Sequence, residues 1–152
     1  MTRESFVSEM NRHVKLVRTE YGFTQDVMAK VLGISKKTLV EIEKGRSSLG
    51  WTGSVALCTI FSGSQVLSGL LGGEAGDMIR ALAFQNLKPT WPKTMGGKVW
   101  WRFVETCGTY KIQQNIISQH YRALDDEDGR VCSSFDLEEV RRYLAELKGG
   151  SL

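Results

Sequence analysis

A chain of 152 residues with 41% hydrophobic and 24% charged residues is long enough for one ordinary domain or two small ones, and its composition excludes a disordered protein. The formal net charge is only +3, but the charge is unevenly distributed. Residues 1–50 carry nine Lys and Arg against six Asp and Glu, whereas residues 98–152 carry eight against nine. The positive surplus therefore lies in the N-terminal third, as a phosphate-binding surface would require.

Three widely spaced cysteines fit neither a metal site nor a disulfide framework and are expected to be reduced core thiols. They are Cys58, Cys107 and Cys132. The polar N-terminus lacks the features of a signal peptide, and no apolar run approaches the roughly 20 residues that a membrane helix needs. These features predict a soluble, cytoplasmic protein.

Apolar residues recur at steps of three and four through the first 71 positions, which predicts consecutive short helices. The stripe of the first helix comprises Phe6, Met10, Val14, Val17 and Tyr21. Thr24 is expected to cap a second helix that stops at Gly33. Ser35 is expected to cap a third helix, which stops at Gly45. A fourth and a fifth helix follow and end near Leu71.

The sequence pattern changes after these helices. A sixth helix of about residues 74–87 leads into residues 88–97, which contain both prolines and two glycines and predict a linker. Aromatic and β-branched runs then predict four strands, at residues 99–106, 110–117, 119–124 and 130–135. Asp-Gly at 128–129 is expected to supply the positive φ of the last hairpin. Asp136 and Glu139 form a capping box for a final helix, residues 137–148.

Together these elements predict a mostly α protein. Residues 1–73 form a five-helix domain, residues 74–97 hold a helix and the linker, and residues 98–152 form a small α+β domain, an antiparallel sheet with one C-terminal helix. In this tail Trp100 and Trp101 are adjacent on a predicted strand. One is expected to pack under the helix and the other to be exposed, at a dimer interface. The alternative is that this pair and Phe103 stack a ligand or a nucleic-acid base.

The most informative segment is residues 18–45, in which two short helices are joined by Gly33-Ile34-Ser35. Such a turn needs a glycine in the left-handed region, a buried anchor and a cap for the next helix. The core between these helices is expected to comprise Val27, Met28, Val31, Leu39 and Ile42. The outer face of the third helix would then carry Lys36, Lys37, Val40, Glu41 and Lys44. Its N-terminal end fits a DNA major groove about 12 Å wide.

An ordered set of residues in this segment resembles the helix-turn-helix of the Cro and phage-repressor (xenobiotic-response-element, XRE) family. The set is Arg18, Thr24-Gln25, Ala29, Gly33, Ser35, Leu39 and Glu43-Lys44-Gly45. The resemblance needs no insertion and extends to about residue 71. It implies a bacterial-type transcriptional regulator that binds double-stranded DNA, as a homodimer on a palindromic operator.

The resemblance also implies roles for individual residues. Gln25 matches a glutamine that contacts phosphate or a base edge from the start of the second helix. Lys36, Lys37 and Glu41 match base-reading positions. Positions near the DNA backbone are matched by Thr38, Lys44 and Arg46. Arg18 and Glu43 match a partly buried structural ion pair.

Val40 and Glu41 depart from the family pattern, which has small polar and often basic residues on this face. Glu41 is expected either to accept a hydrogen bond from a cytosine or to pair with Lys37, four residues earlier. Two rival functions remain open for the chain. One is an antitoxin-type autorepressor whose C-terminal domain binds a partner protein. The other is a protein-interaction module without DNA contact.

No other constellation in the sequence indicates chemistry. His13 and His120 are far from each other and from any cysteine pair, so we expect surface or packing roles. Asp125-Asp126-Glu127-Asp128 lacks EF-hand spacing and predicts a solvated hairpin tip. We therefore expect no catalytic residue, no cofactor and no metal site, and the sequence does not predict an enzyme.

Overall fold

The computed structural model describes residues 1–88 and 100–149, and its contacts divide the chain into two units, Met1–Thr90 and Trp91–Leu152. Most of the predicted linker, residues 89–97, lies outside the described residues. The helices of the first unit are α1 Arg3–Glu20, α2 Gln25–Leu32, α3 Lys36–Glu43, α4 Gly50–Ile60, α5 Gln65–Leu71 and α6 Gly76–Ala83.

Four of these helices are capped at their N-terminus by a short side chain that accepts a hydrogen bond from an otherwise unpaired backbone N–H group. Ser35 accepts from the N–H of Thr38 at 3.0 Å, and Thr24 does the same for the N–H of Val27 at 3.2 Å. Thr2 and Ser64 cap α1 and α5. Left-handed glycines end α2 and α5, as at Gly33 with φ +72°. The predicted starts of the second, third and fifth helices are therefore confirmed.

The core of the first unit is built on the predicted stripe of α1. Its buried side chains are Phe6, Met10, Val14, Val17, Met28, Ala29, Leu39, Ile42, Leu57, Cys58, Phe61, Leu67 and Leu82. Tyr21, the last member of the predicted stripe, is the C-cap of α1 and is exposed. Val27 and Val31 were expected in this core and are exposed instead, because α2 turns Met28, Ala29 and Leu32 inward.

Helix α6 packs on the core of the first unit, although its sequence was assigned to the connecting segment. Leu82 is buried there, and Arg3 of α1 holds the end of the helix. The Arg3 guanidinium donates to the carbonyls of Leu82 and Ala83 at 3.2 and 2.9 Å, and it lies 4.5 Å from the centre of the Trp51 ring. A cation at the last carbonyls of a helix is favourable because those groups lack helical partners.

The second unit is a four-stranded antiparallel sheet with one helix on it, so the predicted strands and final helix are confirmed. Its elements are β1 Trp101–Cys107, β2 Tyr110–Asn115, β3 Tyr121–Leu124, β4 Arg130–Ser134 and α7 Leu137–Gly149. The strands lie in chain order, β1-β2-β3-β4. Ile112 and Ala123 of the sheet pack against Val140 and Leu144 of α7 and form its core.

One of the two adjacent tryptophans is exposed, as predicted, but the other does not pack under α7. Trp101 is half-buried on the face of the sheet opposite α7, where the Arg122 guanidinium covers its ring and His120 meets its edge. Trp100 is exposed in the turn before β1. Strand alternation places neighbours on opposite faces, but Trp100 precedes the strand and so does not follow the rule.

The predicted positive φ of the last hairpin is confirmed within Asp-Gly, where Asp128 has φ +61°. The predicted capping box of α7 is corrected. At the start of α7, Ser134 connects Asp136 and Glu139 instead of a direct capping box. Asp136 accepts from the N–H of Glu138, whereas Glu139 accepts from the hydroxyl of Ser134, which in turn accepts from the N–H of Asp136.

The cysteines are free, with Cys58 buried and Cys107 and Cys132 half-buried against the core of the second unit. Burial raises the pKa of Cys58 to about 11. Among the described residues no single helix is long and apolar enough to cross a membrane. The α4–α5 pair reaches that length and composition only jointly, with a bend of 119° between its members.

Gly33 provides a test of the backbone conformation at the turn between α2 and α3. No atom lies within 4 Å of the position a Cβ would take, so Gly33→Ala adds only the strain of a left-handed alanine. We expect a loss of about 1–2 kcal/mol in the free energy of unfolding, measured by urea titration with far-UV circular dichroism.

Gly69 is the matched control for this substitution, because it lies inside α5 with equally open space around it. Gly69→Ala should stabilise the protein by about 0.5–1 kcal/mol. Effects of the same sign for the two variants would contradict the left-handed turn.

Candidate nucleic-acid interface

Helix α3 has one face buried in the core of the first unit and the opposite face exposed to solvent. Leu39 and Ile42 are buried against the core, which turns the opposite face of α3 toward solvent. Lys36 and Lys37 stand in its first turn, where the free N–H groups give the helix end a partial positive charge. This arrangement presents cations and the helix dipole together, and both attract phosphate.

A buried carboxylate ties this helix to α1 and α2. Arg18 donates to Glu43 through Nε, with 2.6 Å to Oε1, and through Nη2, with 3.3 Å to Oε2. Its Nη1 donates to the carbonyl of Phe23 at 3.0 Å, and Gln25 Nε2 donates to Glu43 Oε2 at 2.8 Å. Only 5% of the Glu43 side chain is exposed. The network is therefore the polar link between the end of α1, the start of α2 and the end of α3.

The balance of forces at Glu43 favours its ionised form. Burial raises the pKa of this carboxyl, but the hydrogen bonds from Arg18 and Gln25 and the positive charges of Arg18 and Lys15 outweigh burial, so the pKa is lowered. Glu43 consequently stays charged near neutral pH. The resemblance implies a DNA contact for Gln25. Its side-chain amide donates one hydrogen bond to Glu43 in this network, and its amide oxygen can accept a hydrogen bond from another partner.

Two of the residues that were predicted to contact DNA form ion pairs with carboxylates of the same unit. Lys36 Nζ lies 2.9 Å from Asp26 Oδ2 on α2, in an exposed pair. Arg46 Nε lies 3.6 Å from Glu41 Oε2. The alternative in which Glu41 pairs with Lys37 is therefore wrong. Glu41 is held from the C-terminal side because the chain turns back after α3, and the N–H of Arg46 also donates to the Glu41 carbonyl at 2.8 Å.

The other residues that were predicted to contact DNA differ in how exposed their side chains are. Lys37 and Lys44 are exposed, and in the described part of the chain neither has an ion-pair partner. Thr38 is half-buried, and its hydroxyl shares a hydrogen bond of 2.8 Å with that of Ser35. Val40 is half-buried on the outer face. Lys37 is thus the cation of α3 most available to a ligand.

A groove beside α3 adds cations that sequence reasoning missed. It has a volume of about 380 Å³ and brings Arg12 and Lys15 of α1 next to Lys44 and Gly45. Arg12, Lys15 and Arg18 are spaced at i, i+3 and i+6, and this spacing on one side of α1 was the available signal. The groove extends the positive surface from α3 to α1.

Replacing Arg18 tests the buried network. Arg18→Met leaves the Glu43 carboxylate buried without its cation, so the free energy of unfolding at neutral pH should fall by about 3 kcal/mol. The lowered pKa of Glu43 means that its stabilising effect is complete above the unfolded value of 4.5 and is lost as the pH falls through the folded value. The deficit of the variant should therefore shrink under acid conditions in urea titrations.

Lys36→Met is the matched control, because it removes a cation from an ion pair whose two side chains are exposed. Exposed pairs contribute little, and we expect a change below about 1 kcal/mol that varies weakly with pH. Equal losses for the two variants would show that the Arg18–Glu43 pair does not anchor the helices.

Comparison with known proteins identifies the segment that contains this surface. The helix-turn-helix family model matches residues 14–50, which include all of α2 and α3. No curated protein and no solved structure matches the chain. The predicted resemblance is confirmed over the matched residues, and the matched family is one of DNA-binding regulators. Residues 14–50 of this chain are therefore similar to a helix-turn-helix of the Cro and phage-repressor (XRE) type.

Proposed function

We propose that this protein is a transcriptional regulator that binds double-stranded DNA in a sequence-specific manner, with the first turn of α3 in the major groove. The observation that carries the proposal is Lys37, which is exposed, has no ion-pair partner among residues 1–88 and 100–149, and lies at the positive end of a helix whose opposite face is buried. A lysine there reaches the acceptor atoms of guanine in the groove. Lys36, Glu41 and Thr38 flank it on the same helix.

Contacts with the DNA backbone would come from both sides of α3. Lys44 and Arg46 follow the helix, and the groove with Arg12 and Lys15 lies next to them. Phosphate contacts position a protein on the duplex, whereas base contacts specify the sequence. Gln25 would offer its amide oxygen, or exchange its bond to Glu43 for a phosphate. The first unit thus supplies both classes of contact.

The proposal includes a two-fold dimer on a palindromic operator. A single small module buries too little surface for strong specificity, and dimers of this motif place their reading helices about one DNA turn apart. Sites selected from random duplexes should therefore contain inverted half-sites with centres about 10 base pairs apart. The mass of the complex in light scattering should equal two chains on one duplex. One chain per selected site would contradict the dimer.

Lys37→Ala should weaken binding to the selected site by roughly tenfold to a hundredfold, with a smaller effect on unrelated duplexes. Arg46→Ala should instead lower affinity for all duplexes and flatten the dependence of log affinity on log salt by about one unit. Both effects are measured by fluorescence anisotropy across a salt series.

Arg142→Ala is the control, because Arg142 is an exposed cation on α7 in the second unit. If this variant weakens binding as much as Lys37→Ala, general charge rather than α3 governs the interaction. If the wild type enriches no sequence and shows no salt-dependent duplex binding, the regulator proposal fails and the rival of a protein-interaction module is favoured.

A further inference from the structure

No described helix or strand of the second unit covers the face of the sheet opposite α7, which we call the open face. Strand pairing places one set of side chains on it. They are Trp101, Phe103, Thr106, Lys111, Gln113, Asn115, Arg122, Arg130 and Ser133, together with Leu124, which is buried. Phe103 is 60% exposed and Phe135, just beyond β4, is 76% exposed. Exposed aromatic side chains on a flat sheet are surfaces on which planar groups can stack.

A stacked pair lies between these two phenylalanines. The Arg122 guanidinium carbon is 3.7 Å from the centre of the Trp101 ring, and Arg122 Nε donates to Gln113 Oε1 at 2.9 Å. His120 lies against both Trp101 and Phe135, with ring centres 5.0 and 5.7 Å apart. The aromatic rings and the guanidinium therefore form one continuous cluster at the end of the sheet where β1 begins.

The open face is positively charged although the second unit as a whole is not. Its strand positions carry Lys111, Arg122 and Arg130 and contain no Asp or Glu. Lys111 pairs with Asp128 of the hairpin at 3.3 Å, but within the described residues neither arginine has a carboxylate partner. The pKa of Arg122 is lowered by burial and by the neighbouring Arg130, against the opposite effect of Asp128. An anion at this position would relieve that repulsion.

This charge pattern argues against a dimer interface on the open face. A two-fold contact places the same patch of two copies against each other, so the arginines of one copy would lie near the arginines of the other. Like charges placed together across an interface oppose association. A flexible polyanion with planar bases meets both properties of the surface, because it supplies phosphates to the arginines and rings to the aromatic side chains.

We propose that the open face of the sheet binds single-stranded DNA, with bases stacked on Phe103, Phe135 and the Trp101–Arg122 pair, and with phosphates near Arg122 and Arg130. Duplex DNA does not fit this role, since its bases are already stacked on one another. The choice of DNA over RNA rests on the proposed function of the first unit, which brings the chain to DNA.

The test uses the full chain and a fluorescent oligothymidine of roughly 12 nucleotides, followed by anisotropy. Phe103→Ala and Phe135→Ala should each weaken binding about tenfold, because each removes a stacking surface without touching the core. Tyr143→Ala is the matched control. It removes a 43% exposed aromatic ring from α7, on the other side of the sheet, and should leave binding unchanged.

Two further arms separate this proposal from the function of the first unit. Lys37→Ala should retain oligothymidine binding while losing the selected duplex, and Phe103→Ala should do the reverse. If duplex binding is absent but oligothymidine binding depends on Phe103, only the proposed regulator function fails. The single-strand proposal is overturned if the phenylalanine variants bind like wild type, if Lys37→Ala abolishes oligothymidine binding, or if only an oligouridine RNA binds. It is equally overturned if Phe103→Ala turns a dimer into a monomer.

Discussion

The first unit depends on one buried carboxylate. Glu43 is almost fully covered, and a charge in that position is unfavourable unless it is paired and hydrogen-bonded. Arg18 from α1 and Gln25 from α2 supply those bonds, so the end of α3 has one favourable place relative to both helices. Hydrophobic burial of Leu39 and Ile42 then sets the rotation of α3 about its axis. The exposed face with Lys37 follows from these two constraints together.

Each unit has one surface on which cationic side chains are concentrated. In the first unit the cations gather on α3, on the turn after it and on the adjoining part of α1, around the groove lined by Arg12, Lys15 and Lys44. In the second unit three of the four strand cations, Lys111, Arg122 and Arg130, lie on the open face, whereas Arg102 and Glu105 lie on the face toward α7 and Glu105 pairs with Arg141. A net charge of +3 conceals both surfaces, because acidic residues offset their cations, some of them in ion pairs on the same surface, as with Asp26 and Asp128. The local distribution of charge, rather than the net charge, indicates which partners a surface can bind.

Features set by neighbours in sequence could be predicted, and features set by distant contacts could not. Helix caps, the Gly33 turn, the four strands and α7 depend on residues a few positions apart, and each was predicted close to its observed place. The pairing of Lys36 with Asp26 joins two helices, and the docking of α6 depends on Arg3, far away in the chain. Alternation along β1 predicts two faces for the sheet but not which one α7 covers, so the side of the sheet on which Trp101 lies could not be predicted. In an eight-residue helix such as α2, the apolar pattern leaves the rotation ambiguous, so Val27 and Val31 were assigned to the core.

The carboxylates Asp26 and Glu41 bear on how long a regulator of this kind would stay at a wrong site. Each holds a cation that a DNA phosphate would otherwise attract, so a phosphate must displace a partner that is already present. For the proposed regulator, random DNA would offer phosphates alone and gain little from that exchange, whereas a matching operator would add base contacts at Lys37. Residence on random DNA would therefore be shortened more than residence on the operator. Because a genome offers about 10⁶–10⁹ competing sites, such internal competition would leave a larger share of the molecules free to search.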